Sequence, residues 1–189
     1  MDEARLCARL ASLPAATLPP TDPGPLIAAA VLVPIILSRP PGILLTKRSP
    51  SLPRHAGQVS FPGGRIEAAD PSPAAAALRE SAEELGIDPA RVLLLGCLPD
   101  YATGTGFRIT PVVGLLPAGL PLAPSPREVA AVFELPFPRL LDPAVPERRR
   151  ARRNGAWREF WVWPHPEHEI WGATAAILLG LAELLRSES

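Results

Sequence analysis

Gly63-Gly64-Arg65-Ile66-Glu67-Ala68-Ala69-Asp70 leads, through Pro71-Ser72-Pro73, into a run that ends Arg79-Glu80-Ser81-Ala82-Glu83-Glu84-Leu85-Gly86-Ile87. Ser72 is a good N-cap, Pro73 suits the first helical position and Gly86 suits a left-handed C-cap, so this stretch predicts a helix from Ser72 to Gly86. At about 100° per residue, Glu80, Glu83 and Glu84 fall within one arc. Ala75, Leu78, Ala82 and Leu85 fall opposite them and are the expected packing face. Arg79 stands four residues before Glu83, within reach of an ion pair that orients the carboxylate. A cluster of acids beside a glycine turn repels itself unless cations neutralise it, and hard oxygen donors suit Mg²⁺ or Mn²⁺. The competing reading, a solvated acidic helix face, explains the glutamates alone but does not call for Arg79 beside them.

Composition bounds the rest. A chain of 189 residues with 47% hydrophobic content suits one folded unit with a sizeable core. A formal net charge of zero gives no global field to draw in nucleic acid or an acidic membrane, so anion recognition must be local. Neither kind of partner is expected. The two cysteines, Cys7 and Cys97, lie far apart and make no metal-ligand spacing, which favours reduced thiols and a cytoplasmic setting. The apolar run from Leu26 to Leu37 is too short to span a bilayer and contains Pro34, so it reads as a buried strand. Met1 to Leu10 lacks the basic start and long apolar centre of a signal peptide.

Periodicity orders the chain. A short helix near Glu3 to Ser12 leads through the proline-rich stretch Leu18 to Pro25 into a main domain spanning residues 26–189. Strands are expected at Ile27 to Ile36, Ile43 to Arg48, Val92 to Leu98, Phe107 to Leu116, Glu128 to Glu134 and Trp157 to Trp163. A short helix is expected over Pro136 to Leu141 and a closing one over Ala173 to Leu185. A mixed sheet between helices is the natural α/β architecture.

The glycine and glutamate run resembles the Nudix box: glycine, five residues, glutamate, seven residues, then Arg-Glu-aliphatic-x-Glu-Glu-x-Gly-aliphatic. Here five residues after Gly64 lead to Asp70, eight more precede Arg79, and Ser81 replaces the aliphatic residue. The upstream segments Leu44-Leu45-Thr46-Lys47-Arg48-Ser49 and His55-Ala56-Gly57-Gln58-Val59-Ser60-Phe61-Pro62-Gly63-Gly64 resemble the coenzyme A pyrophosphatase branch. That branch often has the longer loop and a small residue at the Ser81 position. Thr110 to Gly114, Glu128 to Phe133 and Ile170 to Ala175 extend the resemblance over roughly Ala28 to Leu185.

This resemblance implies an α/β/α sandwich with a mixed sheet and metal-dependent hydrolysis of a diphosphate. The expected products from coenzyme A are 3′,5′-ADP and 4′-phosphopantetheine. Glu80, Glu83 and Glu84 are the expected metal ligands, with a carbonyl of Gly63 or Gly64 completing the set. Arg79 is the expected orienting cation, and either Glu80 or Glu83 the general base. Lys47, Arg48, Arg54, His55 and Gln58 are the expected substrate contacts. An ADP-ribose or NADH pyrophosphatase, and a nucleotide sensor without activity, are the alternatives, and the resemblance admits a homodimer.

Other features divide two ways. Glu128 reads as an added ligand or base, or as a surface glutamate. Asp70 reads as a loop anchor or an exposed turn acid. Arg148 to Arg153 reads as a basic surface loop ahead of a phosphate clamp. Trp157, Trp161, Trp163 and Trp171 read as core or interface packing ahead of adenine stacking. His165, Glu167 and His168 lack the supporting pattern of a zinc site, so no zinc is expected.

Overall fold

In the computed structural model, which describes residues 3–15, 24–153 and 155–187, the first apolar run forms strand β1 (Ile27–Ile36). Its side chains alternate between two layers, which is why so little of it is polar. Ala30 and Leu32 meet Ala74, Ala76, Ala77 and Val112 on one side. Val33 and Ile35 join a larger core with Leu6, Leu10, Ile177, Leu178 and Leu181 on the other. Strand β7 (Phe107–Leu116) runs parallel to β1 along its full length, from Ile27 opposite Phe107 to Ile36 opposite Leu116.

The remaining pairings of this sheet are antiparallel. Strand β2 (Gly42–Arg48) pairs with β1, and the two-residue β3 (Val59–Ser60) and β8 (Val129–Pro136) pair with β2. Strand β4 (Gly63–Arg65) lies against β1, while β5 (Leu93–Cys97) and β6 (Tyr101–Ala102) lie against β7. Helix α2 (Pro73–Leu85) covers one face, and α1 (Glu3–Leu10) and α4 (Gly172–Arg186) cover the other. This is the expected mixed sheet between helices. Helix α3 (Phe137–Leu141) follows β8. Most of the Leu18 to Pro25 connection lies outside the described residues.

The arginine run corrects the loop reading. It forms strand β9 (Glu147–Arg153), paired with β10 (Ala156–Pro164), which in turn pairs with β11 (Glu169–Trp171). Cross-strand contacts hold the arginines: Arg148 lies 5.2 Å from the Trp161 ring and Arg150 5.2 Å from that of Trp157. Core packing holds for Trp163, which is fully buried and donates its Nε1–H to Arg139 O at 3.3 Å. It fails for Trp157, which is 64% exposed on the hairpin. No helix among the described residues is long and apolar enough to cross a membrane, and both cysteines are free thiols.

Candidate active site

Local chemistry sets the ends of α2. Ser72 Oγ accepts from the Ala75 N–H at 3.2 Å, and Gly86, at φ 69°, donates its N–H to Ala82 O at 2.9 Å. The face that packs differs from the expected one. Ala74, Ala77, Ser81 and Leu85 are buried, whereas Ala75, Leu78 and Ala82 are half-buried. Alanines at 74, 76 and 77 let the helix approach β1 closely, so bulk at 78 is not what packs. Ser81 turns its hydroxyl back onto Ala77 O at 2.6 Å, a small residue in a place with no room to spare.

This rotation sorts the acids. The Glu83 side chain is 57% exposed, that of Glu80 is 18% exposed and that of Glu84 only 6%. Glu84 therefore belongs to the packing face, contrary to the expectation that all three acids lie off it. Its Oε2 accepts the Gly63 N–H at 3.3 Å.

The two glycines are crowded in different ways. Gly63 has φ 150°, and a Cβ there would lie 2.4 Å from Ala30 O of β1. A Cβ on Gly64 would lie 2.5 Å from the Glu80 carboxylate. The turn is thus pressed between strand backbone on one side and the acidic face of α2 on the other.

Arg79 ties loop to helix. Its Nε and Nη2 donate to Asp70 Oδ1 and Oδ2 at 3.1 and 3.0 Å, and Nη2 also donates to Arg65 O at 3.1 Å. Nη1 reaches Glu80 Oε1 at 3.0 Å and Glu83 Oε1 at 3.4 Å. The Arg79 guanidinium beside Asp70 holds that carboxyl below its usual range, and Arg79 is itself raised. Asp70 also accepts the Glu67 N–H at 2.8 Å. Of the two readings of Asp70, loop anchoring describes its contacts.

Burial pushes the Glu84 carboxyl up to about 7, opposed by Arg48 and reinforced by Glu80 and Glu128. Glu80 is raised too, again chiefly by burial. Arg48, the last residue of β2, places Nη1 3.7 Å from Glu84 Oε1, and its Nε is buried with no hydrogen-bond partner among the described residues. Glu128 is brought to the acids by backbone contacts: its carbonyl accepts from Ser49 N at 2.8 Å, and Ser125 N caps Glu84 O at 2.8 Å. Sequence left Glu128 undecided because its place depends on β8 pairing with β2 at Arg48 and Val129.

Of the other expected substrate contacts, Lys47 lies within β2, and Arg54, His55 and Gln58 follow its end. His55 is exposed, has a left-handed backbone at φ 57° and sets Nδ1 2.9 Å from Gln58 Oε1. Such a backbone is uncommon outside glycine. Lys47 is half-buried and Arg54 exposed; neither has a salt bridge among the described residues. His165 and His168 stack on each other at 5.0 Å and meet the Phe133 ring at a tilt, while His165 Nδ1 accepts the Glu167 N–H at 3.2 Å.

The donor set suits a hard divalent cation: carboxylate oxygens beside a glycine backbone, two of the carboxyls held up by burial and mutual repulsion that a cation would relieve. Among the described residues no three histidine, cysteine or acidic side chains converge on one point. Arg79 and Arg48 engage the acids instead.

The NUDIX domain family matches residues 27–167. The chain is 46% identical over 154 residues to an uncharacterized Nudix hydrolase NudL of Cronobacter sakazakii, and 44% identical over 154 residues to that of Escherichia coli K12. Each match covers 82% of this chain and 80% of the relative. Two solved structures share the fold. A MutT/nudix family protein from Enterococcus faecalis has a TM-score of 0.52 at 16% identity, over 86% of this chain and 62% of that one. A C. elegans Ap4A hydrolase binary complex has a TM-score of 0.51 at 20% identity, over 58% and 80%.

Proposed function

The chain belongs to the Nudix family and is a pyrophosphohydrolase, and from that premise we propose that it hydrolyses the diphosphate of coenzyme A or a close derivative. The observation that carries this reading is the contact of Arg48 with Glu84. It joins the Leu-Leu-Thr-x-Arg-Ser strand, shared with the coenzyme A branch, to the acidic face of α2. The segment bearing His55 and Gln58 is tied to the same residue, because Gln58 O accepts the Arg48 N–H at 2.9 Å.

Glu80, Glu83 and Glu84, with the Gly64 carbonyl, would hold Mg²⁺ or Mn²⁺. Bound there, such ions neutralise the diphosphate and acidify water. The protein's own contribution is orientation. Asp70 fixes Arg79, and Arg79 fixes Glu80 and Glu83. Water adds to one phosphorus, the bridging P–O bond breaks, and the water's proton passes to Glu80 or Glu83. Arg48, Lys47 and Arg54 offer cationic contacts to substrate phosphates, and the His55 and Gln58 pair offers polar contacts to the remainder.

The test is incubation with coenzyme A, ADP-ribose and NADH separately, in Mg²⁺, Mn²⁺ or EDTA, with products identified by mass spectrometry. Metal-dependent release of 3′,5′-ADP and 4′-phosphopantetheine, fastest from coenzyme A, is expected. Cleavage of only the other two substrates would replace the coenzyme A assignment with a broader nucleoside diphosphate one.

A further inference from the structure

Strand β3 is two residues long and sits at the end of the sheet, yet it carries the chain from His55 and Gln58 into the Gly63-Gly64 turn. Among the described residues its only strand partner is β2, with Ser60 opposite Thr46 and Val59 opposite Lys47. In an antiparallel pair, opposed residues alternate between exchanging backbone hydrogen bonds and turning those groups outward. Arg48 N already donates to Gln58 O at 2.9 Å, so the carbonyl of the next residue, Val59, faces away from β2.

That carbonyl is met from the far end of the chain. Thr174, in the first turn of α4, donates its Oγ1–H to Val59 O at 2.9 Å. Thr174 is 7% exposed and Val59 5%, so the bond is buried. The same corner packs apolar groups against β3: Val59 and Phe61 share a core cluster with Ile170, Ile177 and Leu178. On the other side Pro62 O accepts from Leu32 N at 2.9 Å. The stretch from Val59 to Gly63 is therefore held by α4 at one point and by β1 at the next.

We propose that Thr174 is a positioning residue for the diphosphate hydrolysis inferred above, on which this proposal rests: its hydroxyl sets the outer edge of β3 and so the placement of the His55 and Gln58 pair relative to Glu80 and Glu84. Valine at this position keeps shape and burial but leaves the Val59 carbonyl without a donor. Serine keeps the donor.

The experiment compares wild type, Thr174→Val and Thr174→Ser by steady-state kinetics well below the melting temperature and by amide hydrogen exchange over residues 56–64. Thr174→Val is expected to speed exchange in that segment and to lower kcat/KM by roughly tenfold to a hundredfold, the scale of a small misplacement at a reacting centre. Thr174→Ser should recover most of both. Unchanged exchange over residues 56–64 in Thr174→Val would overturn the proposal. A lowered melting temperature with wild-type kcat/KM would do the same, because it would leave only a stability role. If wild type cleaves none of the diphosphates, the functional reading fails and with it the catalytic part of the proposal, while the exchange comparison still decides whether Thr174 holds β3.

Discussion

Arg79 and Asp70 are joined in parallel, Nε to Oδ1 at 3.1 Å and Nη2 to Oδ2 at 3.0 Å, and the remaining guanidinium nitrogen points at Glu80 and Glu83. An acid in the lengthened loop thus sets the direction of the cation that orients two acids of the helix. Asp70→Ala should leave the fold intact and lower kcat by about tenfold to a hundredfold, since the fork that aims Arg79 is lost. Arg79→Lys should have a similar effect, because an ammonium cannot bridge both carboxylate oxygens. Steady-state kinetics beside circular dichroism checks both, and wild-type kcat in both variants would refute the orienting role.

The two glycines of the turn should fail differently when replaced. In Gly64→Ala the new methyl meets the tip of the Glu80 side chain, which can swing away. The expected result is a folded protein with little activity and weakened metal binding. In Gly63→Ala the methyl meets Ala30 O and Val31 Cα, which are backbone, at a positive φ. There the melting temperature should fall by several degrees. Thermal melts and metal titrations of both variants read the contrast, and equal melting temperatures would contradict it.

Glu84 gives the metal-free protein a pH-dependent stability. Its carboxyl rises from an ordinary 4.5 to about 7 on folding, so the folded state binds its proton more tightly than the unfolded state does. The stability this provides is complete below about pH 4.5 and lost as pH rises through 7, an effect of up to about 3 kcal/mol. In EDTA, wild type should lose stability between pH 5 and pH 8 relative to Glu84→Gln, whose curve should be flatter over the same range. Denaturant melts at several pH values test this, and parallel curves for the two proteins would count against it. Turnover of Glu84→Gln should be greatly reduced.

Ser81 occupies a position where the general box has an aliphatic residue, and it is fully buried with its hydroxyl on Ala77 O. Ser81→Leu should destabilise the protein by about 1–3 kcal/mol through overpacking against the sheet. Ser81→Ala should cost little, since the carbonyl it releases is already the partner of a helical N–H. Chemical denaturation distinguishes the two, and a leucine variant as stable as wild type would refute the close packing of α2 against the sheet.

The parts legible from sequence were those fixed within a few residues. Ser72, Pro73 and Gly86 mark the ends of α2 because capping is a contact between near neighbours. Strands β1 and β7 are legible at their observed limits because a strand covered on both faces is apolar over most of its length, with only Arg108 and Thr110 interrupting β7. Strands β3, β4 and β6, two or three residues long, carry no period to read.

Which groups meet across distance came from the fold. The periodicity of α2 showed a two-sided helix, but alanines at 74, 76 and 77 pack by closeness rather than bulk, and this turned Glu84 into the interior. Arg148 to Arg153 reads as a solvated run in sequence because the partners of Arg148 and Arg150 stand on another strand: Trp161 and Glu159 for the first, Trp157 for the second. Glu128 comes to Glu80 and Glu84 through strand pairing, and Thr174 comes to Val59 across most of the chain. The helix, the turn and the acids they carry can be read from the order of residues alone, because they follow from local geometry. Which acid is buried, which cation faces it and what holds the neighbouring strand depended on packing, because each is a contact between residues that only the fold brings together.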